Sequence, residues 1–207
     1  CLLSRGLGDV YKRQILYAPT WRDNQFYGKG KYKFTLAMDL ERMRKEFGKD
    51  SVILLRTHYY IADSLELTGL EDFVYNGSTY NDVSRLYLAS DICITDYSSV
   101  FFDYANLRRP MLFFAYDYED YKDEIRGMYF DMNTELPGPI VQTNDELVDA
   151  LHHIDEISEK YKKRYDRFYD KFCHVDDGHA SKRAIDIVFE GAKPVSYTHL
   201  RAHETRG

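Results

Sequence analysis

Short apolar runs alternate with longer segments of helical periodicity along most of the chain. The apolar runs favour β-strands at residues 15–18, 51–55, 73–75, 92–95, 111–114 and 140–141. Each run is continuously apolar, which is typical of strands in a parallel sheet that is covered on both faces. The alternation of strands and helices therefore predicts an α/β fold, a Rossmann-like three-layer domain around a parallel sheet.

The helical periodicity predicts where the intervening helices begin and end. One helix covers residues 36–47 before Gly48, and a second begins at Asn81 or Asp82 and continues to residue 89. A third covers residues 99–107. Asn144 is predicted to cap one long helix that continues to residue 172, and a last helix covers residues 180–189.

The two ends of the chain lack this pattern. Residues 1–14 and 194–207 show neither core periodicity nor convincing turn chemistry, and they resemble translated adapter sequence. We therefore expect both segments to be non-native tails that pack on nothing. Residues 15–193 then remain as one domain with a sizeable core.

The composition of the chain argues against several classes of function. The 207 residues carry a net charge of −6, which argues against nonspecific binding of nucleic acid. No apolar run approaches the ~20 residues of a membrane span. The scattered Cys93 and Cys173 indicate a reducing compartment, and Cys93, inside an apolar strand, is expected to fill the core. The adjacent His152 and His153 would chelate one metal poorly, and residues 176–179 are interpreted as a capping loop, so neither a metal site nor a cofactor is predicted.

The most informative segment covers residues 91–103, where a buried strand leads through a turn into a helix that opens on Ser98 and Ser99. The start of a helix presents backbone N–H groups and a partial positive charge, so two hydroxyls there suit a phosphate group. The segment is equally consistent with an alternative in which Ser98 only caps the helix while Phe101 and Phe102 pack behind it. The segment has no glycine-rich fingerprint, which excludes a Walker loop and a dinucleotide-binding turn.

Two further polar clusters follow predicted strands, at residues 18–22 and 56–58. Ligands of an open parallel sheet bind beyond the carboxyl ends of its strands, so we expect all three clusters to meet on one side. Arg22, Arg56, His58 and the serine hydroxyls would then form a pocket suited to a diphosphate. Taken singly, each arginine is also explained as a solvated ion-pair partner, and His58 as a group that satisfies a local hydrogen bond.

The chain closely resembles the CDP-glycerol glycerophosphotransferases of teichoic acid synthesis. The resemblance covers residues 15–193 and lies in the stretches APTWR, RTHYY, TDYSSVFFDYANLRRPMLFFAYD, LPGPI and DDGHASKR. It implies a glycosyltransferase B-like fold with two lobes, in which this chain is the C-terminal lobe that binds the CDP moiety. It also implies that a histidine and the general base belong to an N-terminal lobe missing from this sequence, so that the chain alone would be inactive.

The resemblance and the strand-end clusters together predict the residues of a donor site. On the family's pattern, CDP-glycerol would contact Pro19, Thr20, Arg56, Thr57, His58, Ser98, Ser99 and Asp103, and the first cluster adds Arg22. The catalytic role is assigned to His58, which would hold the diphosphate and stabilise the departing CMP. Asp103, about one helical turn past the serines, could accept hydrogen bonds from glycerol or ribose hydroxyls; alternatively it is a surface carboxylate.

The implied reaction transfers glycerol phosphate, or a related polyol phosphate, from CDP-glycerol to a growing teichoic acid-type chain and releases CMP. The implied partners are the polyol-phosphate acceptor and the missing lobe, and the implied location is peripheral, on the cytoplasmic face of the plasma membrane. Two alternatives remain: a non-catalytic nucleotide-binding lobe and a sugar-nucleotide glycosyltransferase. The shared motifs do not separate a glycerol donor from a ribitol donor.

Overall fold

The computed structural model describes residues 12–20, 36–58, 67–118 and 130–189. The chain divides into two compact units, residues 1–173 and residues 174–207. The strands of the described residues lie in the first unit, which therefore contains the predicted donor site.

Six parallel strands form one sheet in the first unit. Their bounds are β1 Arg13–Ala18, β2 Ser51–Leu55, β3 Val74–Asn76, β4 Ile92–Thr95, β5 Met111–Phe114 and β6 Ile140–Val141. Their order across the sheet is β3-β2-β1-β4-β5-β6, and each neighbouring pair is parallel. This is the strand order of a doubly wound α/β sheet, so the predicted fold class is confirmed.

Helices of the first unit cover both faces of its sheet. The described helices are α1 Leu40–Phe47, α2 Val83–Ala89, α3 Val100–Tyr104, α4 Met132–Glu135, α5 Asn144–His152, α6 Ile154–Phe172 and α7 Ala180–Phe189. Buried residues of α1 and α5 join one core, whereas those of α2, α3 and the second half of α6 join the other. Two helical layers with a sheet between them give the three layers predicted from the sequence.

Neighbouring residues of each strand enter different cores. Ile15 and Ile94 belong to the core with α1 and α5, whereas Leu16 and Cys93 belong to the core with α2 and α3. Successive side chains of a strand point to opposite faces, so a strand buried on both faces has to be apolar at every position. This requirement explains the continuous apolar runs in the sequence.

The prediction that residues 1–14 pack on nothing is wrong for residues 12–14. Strand β1 begins at Arg13, and Arg13 and Gln14 pair with Ser51 and Val52 of β2. The Lys12 Nζ also donates a hydrogen bond to the Gly48 carbonyl oxygen at 3.2 Å. The strand emerges from the core at this end, so its first residues are polar and lack the apolar signal. Residues 1–11 and 190–207 lie outside the described residues.

The predicted long helix consists of two helices that meet at His153. There the backbone adopts φ −108° and ψ 24°, which separates α5 from α6. Ile154, the first residue of α6, still packs in the same core as Leu151 of α5, whereas Phe168 near the end of α6 packs in the other core. The passage from one core to the other therefore occurs along α6, after the break. The sequence shows a continuous apolar periodicity across this point, because both helices present apolar residues at helical spacing.

The N-cap of α5 is Thr143 rather than the predicted Asn144. The Thr143 side chain accepts from the Glu146 backbone N–H, and the Glu146 side chain accepts from the Thr143 backbone N–H, which is a capping box. Asn144 instead donates its Nδ2 to the Ala37 carbonyl oxygen at 3.0 Å and thereby ties α5 to the segment before α1. The helix predicted at residues 99–107 is α3 followed by a 3-10 turn, Ala105–Leu107.

The second unit, taken by itself, contains α7 at the predicted position. The Asp177 Oδ1 accepts from the His179 backbone N–H at 2.9 Å and from Arg183 Nη1 at 2.7 Å. These contacts confirm the interpretation of residues 176–179 as a loop that caps the last helix. Among the described residues, no helix combines the length and the apolar character needed to cross a membrane.

Gly138, in the turn before β6, provides a test of how tightly the sheet is packed. A Cβ at this position would lie 1.9 Å from the Met111 carbonyl oxygen. We expect Gly138→Ala to lower the free energy of unfolding by about 2–3 kcal/mol, because backbone atoms must move. Thermal melting followed by circular dichroism measures the change.

The matched control is Gly77→Ala, whose Cβ would meet first the flexible end of Leu86, at 3.1 Å from Cδ1. This control should cost about 1 kcal/mol or less, because a side-chain end moves more readily than backbone. Equal losses of stability in the two variants would contradict the packing described around Gly138.

Candidate functional site

The carboxyl ends of three neighbouring strands bring the predicted clusters side by side. Ala18 of β1 lies opposite Thr95 of β4, and Tyr17 of β1 lies opposite Leu55 of β2. The Arg56 backbone N–H donates to the Tyr17 carbonyl oxygen at 2.8 Å, so Arg56 continues this ladder. Adjacent strands lie about 4.8 Å apart, which places the backbones of the three clusters within about 10 Å. The predicted convergence of the three strand ends is confirmed.

A buried carboxylate joins β1 to β4 at this edge. Asp96 is 1% exposed, and its Oδ1 accepts from the Thr20 backbone N–H at 2.8 Å and from the Thr20 hydroxyl at 2.6 Å. The Tyr97 backbone N–H donates to the same oxygen at 2.6 Å. One residue earlier, the Thr95 hydroxyl donates to the Ala18 carbonyl oxygen at 2.7 Å. Side chains therefore join the two strands where their backbone ladder ends.

The turn between β4 and α3 presents both predicted serines. Ser98 is half-buried, and its Oγ accepts from the Val100 backbone N–H at 3.4 Å, which is long for a hydrogen bond. Ser99 is the exposed N-cap residue of α3 and makes no side-chain capping bond. Neither hydroxyl forms a strong cap, so the alternative in which Ser98 only caps the helix receives little support.

Arg56 and Thr57 hold the loop that follows β3. The Arg56 Nη1 donates to the backbone carbonyls of Gly77 at 2.8 Å, Ser78 at 2.7 Å and Tyr80 at 2.8 Å. Thr57 is buried, and its backbone N–H and its hydroxyl both contact the Ser78 Oγ, at 3.0 and 2.9 Å. Arg56 is thus a structural donor rather than a solvated ion-pair partner. Direct contact of Arg56 or Thr57 with a diphosphate stays a prediction.

His58 and Asp103 are the predicted contacts that lie after β2 and on α3. His58 follows Thr57 and is half-buried, whereas Asp103 is exposed on α3. Burial, and then the Asp103 carboxylate, raise the pKa of Tyr87 to about 12, while the Arg56 guanidinium acts in the opposite direction. Asp103 and Arg56 therefore both act on the Tyr87 phenol, whereas contact of His58 or Asp103 with a donor stays a prediction.

The remaining predicted contacts follow β1. Pro19 and Thr20 come directly after the strand and are half-buried. Arg22 lies outside the described residues, so its contact with a diphosphate stays a prediction.

Two residues that build this edge were not among the predicted site residues, namely Asp96 and Ser78. Asp96 carried a readable signal, because an acidic residue directly after a buried strand requires nearby donors. Ser78 carried none, since it lies in a short polar loop whose partners are about twenty residues away along the chain.

Cys93 belongs to the core beneath the site. It is fully buried in β4, and burial raises the pKa of its thiol. A thiol in this state is a poor nucleophile, which confirms the interpretation of Cys93 as core filler. Within residues 12–20, 36–58, 67–118 and 130–189, no group of three or more His, Cys, Asp or Glu is placed to hold a metal ion.

Comparison with known families gives a match over most of the chain. The family model described as CDP-Glycerol:Poly(glycerophosphate) glycerophosphotransferase matches residues 6–190. The match begins inside the segment predicted to be a non-native tail, in agreement with the start of β1 at Arg13.

Curated relatives are longer than this chain. The teichoic acid poly(glycerol phosphate) polymerase of Bacillus subtilis is 49% identical over 179 residues, which cover 86% of this chain and 24% of that protein. The teichoic acid glycerol-phosphate transferase of Staphylococcus aureus is 46% identical over 179 residues, which cover 86% of this chain and 46% of that protein. A teichoic acid poly(ribitol-phosphate) polymerase of Bacillus spizizenii is 35% identical. The chain thus spans less than half the length of each of these relatives.

Comparison with solved structures points to the same group of proteins. A variant of the wall teichoic acid polymerase TagF soaked with CDPG has a TM-score of 0.78 and 48% identity. The similarity covers 87% of this chain and 44% of that one.

We expect the hydrogen bond between the Thr20 hydroxyl and Asp96 to contribute measurably to stability. Thr20→Val should lower the free energy of unfolding by about 1.5–3 kcal/mol, because it removes a hydroxyl donor from a buried carboxylate. Urea unfolding followed by circular dichroism measures the difference.

Thr134→Val is the matched control, since the Thr134 hydroxyl donates to the exposed Asp131 Oδ2 at 3.0 Å. Water replaces the lost donor there, so the control should change stability by about 0.5 kcal/mol. A loss of similar size in both variants would show that the Asp96 contact has no special weight.

Proposed function

Since the chain belongs to the CDP-glycerol:poly(glycerophosphate) glycerophosphotransferase family, we propose that it forms the donor-binding part of an enzyme of teichoic acid synthesis. This enzyme transfers glycerol phosphate from CDP-glycerol to a growing teichoic acid-type chain and releases CMP. One observation carries the proposal: the three motifs that resemble the family follow β1, β2 and β4 at a single edge of the sheet. Doubly wound sheets bind their ligands at that edge, beside the point where the strand order reverses.

The walls of this crevice suit a diphosphate. Pro19 and Thr20 follow β1 on one side, Ser98 and Ser99 open α3 on the other, and His58 approaches from the end of β2. Hydroxyl groups, backbone N–H groups and an imidazole N–H all donate hydrogen bonds to phosphate oxygens. These groups give an anionic ligand a local site on a chain whose net charge is −6.

The proposed chemistry is a phosphoryl transfer. A hydroxyl oxygen of the acceptor attacks the phosphorus that carries glycerol, a new P–O bond forms, and the P–O bond to CMP breaks. CMP leaves with the bridging oxygen, and the hydroxyl proton passes to a general base. Positioning and stabilisation of the charge on CMP supply most of the acceleration, and we assign this role to His58 with Ser98 and Ser99.

Glycerol phosphate, rather than ribitol phosphate, is the proposed group transferred. Relatives named for glycerol phosphate are 49% and 46% identical to this chain, whereas a relative named for ribitol phosphate is 35% identical. The TagF structure soaked with CDPG supports a CDP-linked donor.

Further parts of the enzyme are also proposals. The general base, the acceptor contacts and a second lobe would belong to the portion of the relatives that this chain does not cover, since it spans 24% and 46% of two of them. We place the enzyme peripherally on the cytoplasmic face of the plasma membrane, with the membrane contact outside this chain.

Titration calorimetry tests the donor assignment. The chain should bind CDP about tenfold more tightly than UDP or GDP, a difference of about 1.4 kcal/mol. The expected preference follows from a site built for one base, whose polar groups are left unpaired by the wrong one. Equal affinity for all three nucleotides would remove the cytidine assignment.

His58→Ala tests the assignment of charge stabilisation, in an assay of CMP release with the rest of the enzyme present. The rate should fall about ten- to a hundredfold, because a charge-assisted donor worth about 1.5–3 kcal/mol is lost. The matched control is His153→Ala, an exposed histidine between α5 and α6, which should leave the rate within about twofold of the original. An unchanged rate in His58→Ala would exclude His58 from the reaction.

A further inference from the structure

The two walls of the proposed donor crevice belong to connections that leave the sheet on opposite faces. The chain continues from β1 to α1 on one face and from β4 to α3 on the other. A crevice opens between connections that diverge in this way. The backbone ladder between β1 and β4 ends at Ala18 and Thr95, so the walls beyond these residues depend on side-chain contacts.

Asp96 makes these contacts across the crevice floor. Its Oδ1 accepts two hydrogen bonds from Thr20, at 2.8 Å from the backbone N–H and 2.6 Å from the hydroxyl. The same oxygen accepts from the Tyr97 backbone N–H at 2.6 Å, so the donors lie on both connections. Burial of a carboxylate is costly unless several donors satisfy it. With an exposure of 1%, Asp96 therefore constrains Thr20 and Tyr97 to one arrangement.

The turn that contains Ser98 and Ser99 has a second contact, with the segment that follows β5. The Tyr97 hydroxyl donates to the Asp117 Oδ1, beyond the end of β5, at 3.1 Å. Ser98 and Ser99 follow Tyr97 directly. Their position is therefore set by two ties, one to the wall formed by Thr20 and one to the end of β5.

The negative charge of Asp96 opposes the binding of an anion in the same crevice. If Asp96 strengthens nucleotide binding, it therefore does so by holding other groups of the site in position. We propose that Asp96 is a positioning residue that locks Thr20 to the Ser98–Ser99 turn, so that both walls bind the nucleoside diphosphate as one unit. This inference rests on the proposed function for the identity of the ligand, CDP.

The test measures the dissociation constant of CDP by calorimetry, with thermal melting of each variant alongside. Asp96→Ala should weaken CDP binding about tenfold or more, since both walls lose their common partner. Asp96→Asn should stay within about threefold of the original chain, because an amide oxygen can replace Oδ1 while the charge is removed. This recovery by a neutral side chain separates positioning from charge.

Gly138→Ala serves as the stability control, because it loosens the fold at the turn before β6, away from the crevice. It should lower the melting temperature yet leave CDP binding within about twofold. Tyr97→Phe removes only the tie to Asp117, so it should weaken CDP binding less than Asp96→Ala does.

A double-mutant cycle keeps the test decisive if Asp96→Ala fails to fold. In the chain with Asp96 intact, the effects of Thr20→Val and Ser98→Ala on CDP binding should be non-additive by about fivefold or more. The reason is that the hydrogen bonds of Asp96 couple the two walls. Additive effects would overturn the proposal. So would CDP binding by a folded Asp96→Ala at the original affinity, or equal weakening by Asp96→Ala and Gly138→Ala. In these cases the proposed function stands, whereas failure of the original chain to bind CDP would overturn both.

Discussion

The bond network of Asp96 is the constraint on which the candidate site depends. The doubly wound sheet separates the connections after β1 and β4, and it thereby creates a crevice whose walls have no backbone ladder between them. A carboxylate at 1% exposure closes that gap with hydrogen bonds from Thr20 and Tyr97. The hydrogen bonds from these donors offset the cost of burying the charge, and they hold the two walls of the crevice in fixed positions.

The polar residues at the strand ends divide into two groups with different tasks. Asp96, Arg56 and Thr57 direct their described side-chain bonds into the protein and hold loops in place. Ser98 and Ser99 lie at the turn without strong capping bonds. A sequence motif such as RTH or TDYSS therefore combines residues that build a site with residues suited to contact a ligand, and spacing alone does not separate them.

The sequence predicted the sheet well because burial on both faces requires apolar side chains at every strand position. It missed Arg13 and Gln14, which pair in β1 but emerge from the core, and it missed the helix break at His153, because apolar residues continue at helical spacing across it. The role of Asp96 was missed for a related reason. Its partner Thr20 is 76 residues away along the chain, and only the fold brings the two together.

The central claim is that a cytidine nucleotide binds at the carboxyl edge of the sheet, between the connections after β1 and β4. The most direct measurement is a nuclear magnetic resonance titration of the isotope-labelled chain with CDP, with backbone amide shifts assigned by residue. The account predicts that the largest shifts occur at Thr20, His58 and Ser99, while Lys12 and Asp91 at the opposite edge stay unchanged. Shifts concentrated at Lys12 and Asp91, with none at the other three residues, would contradict it.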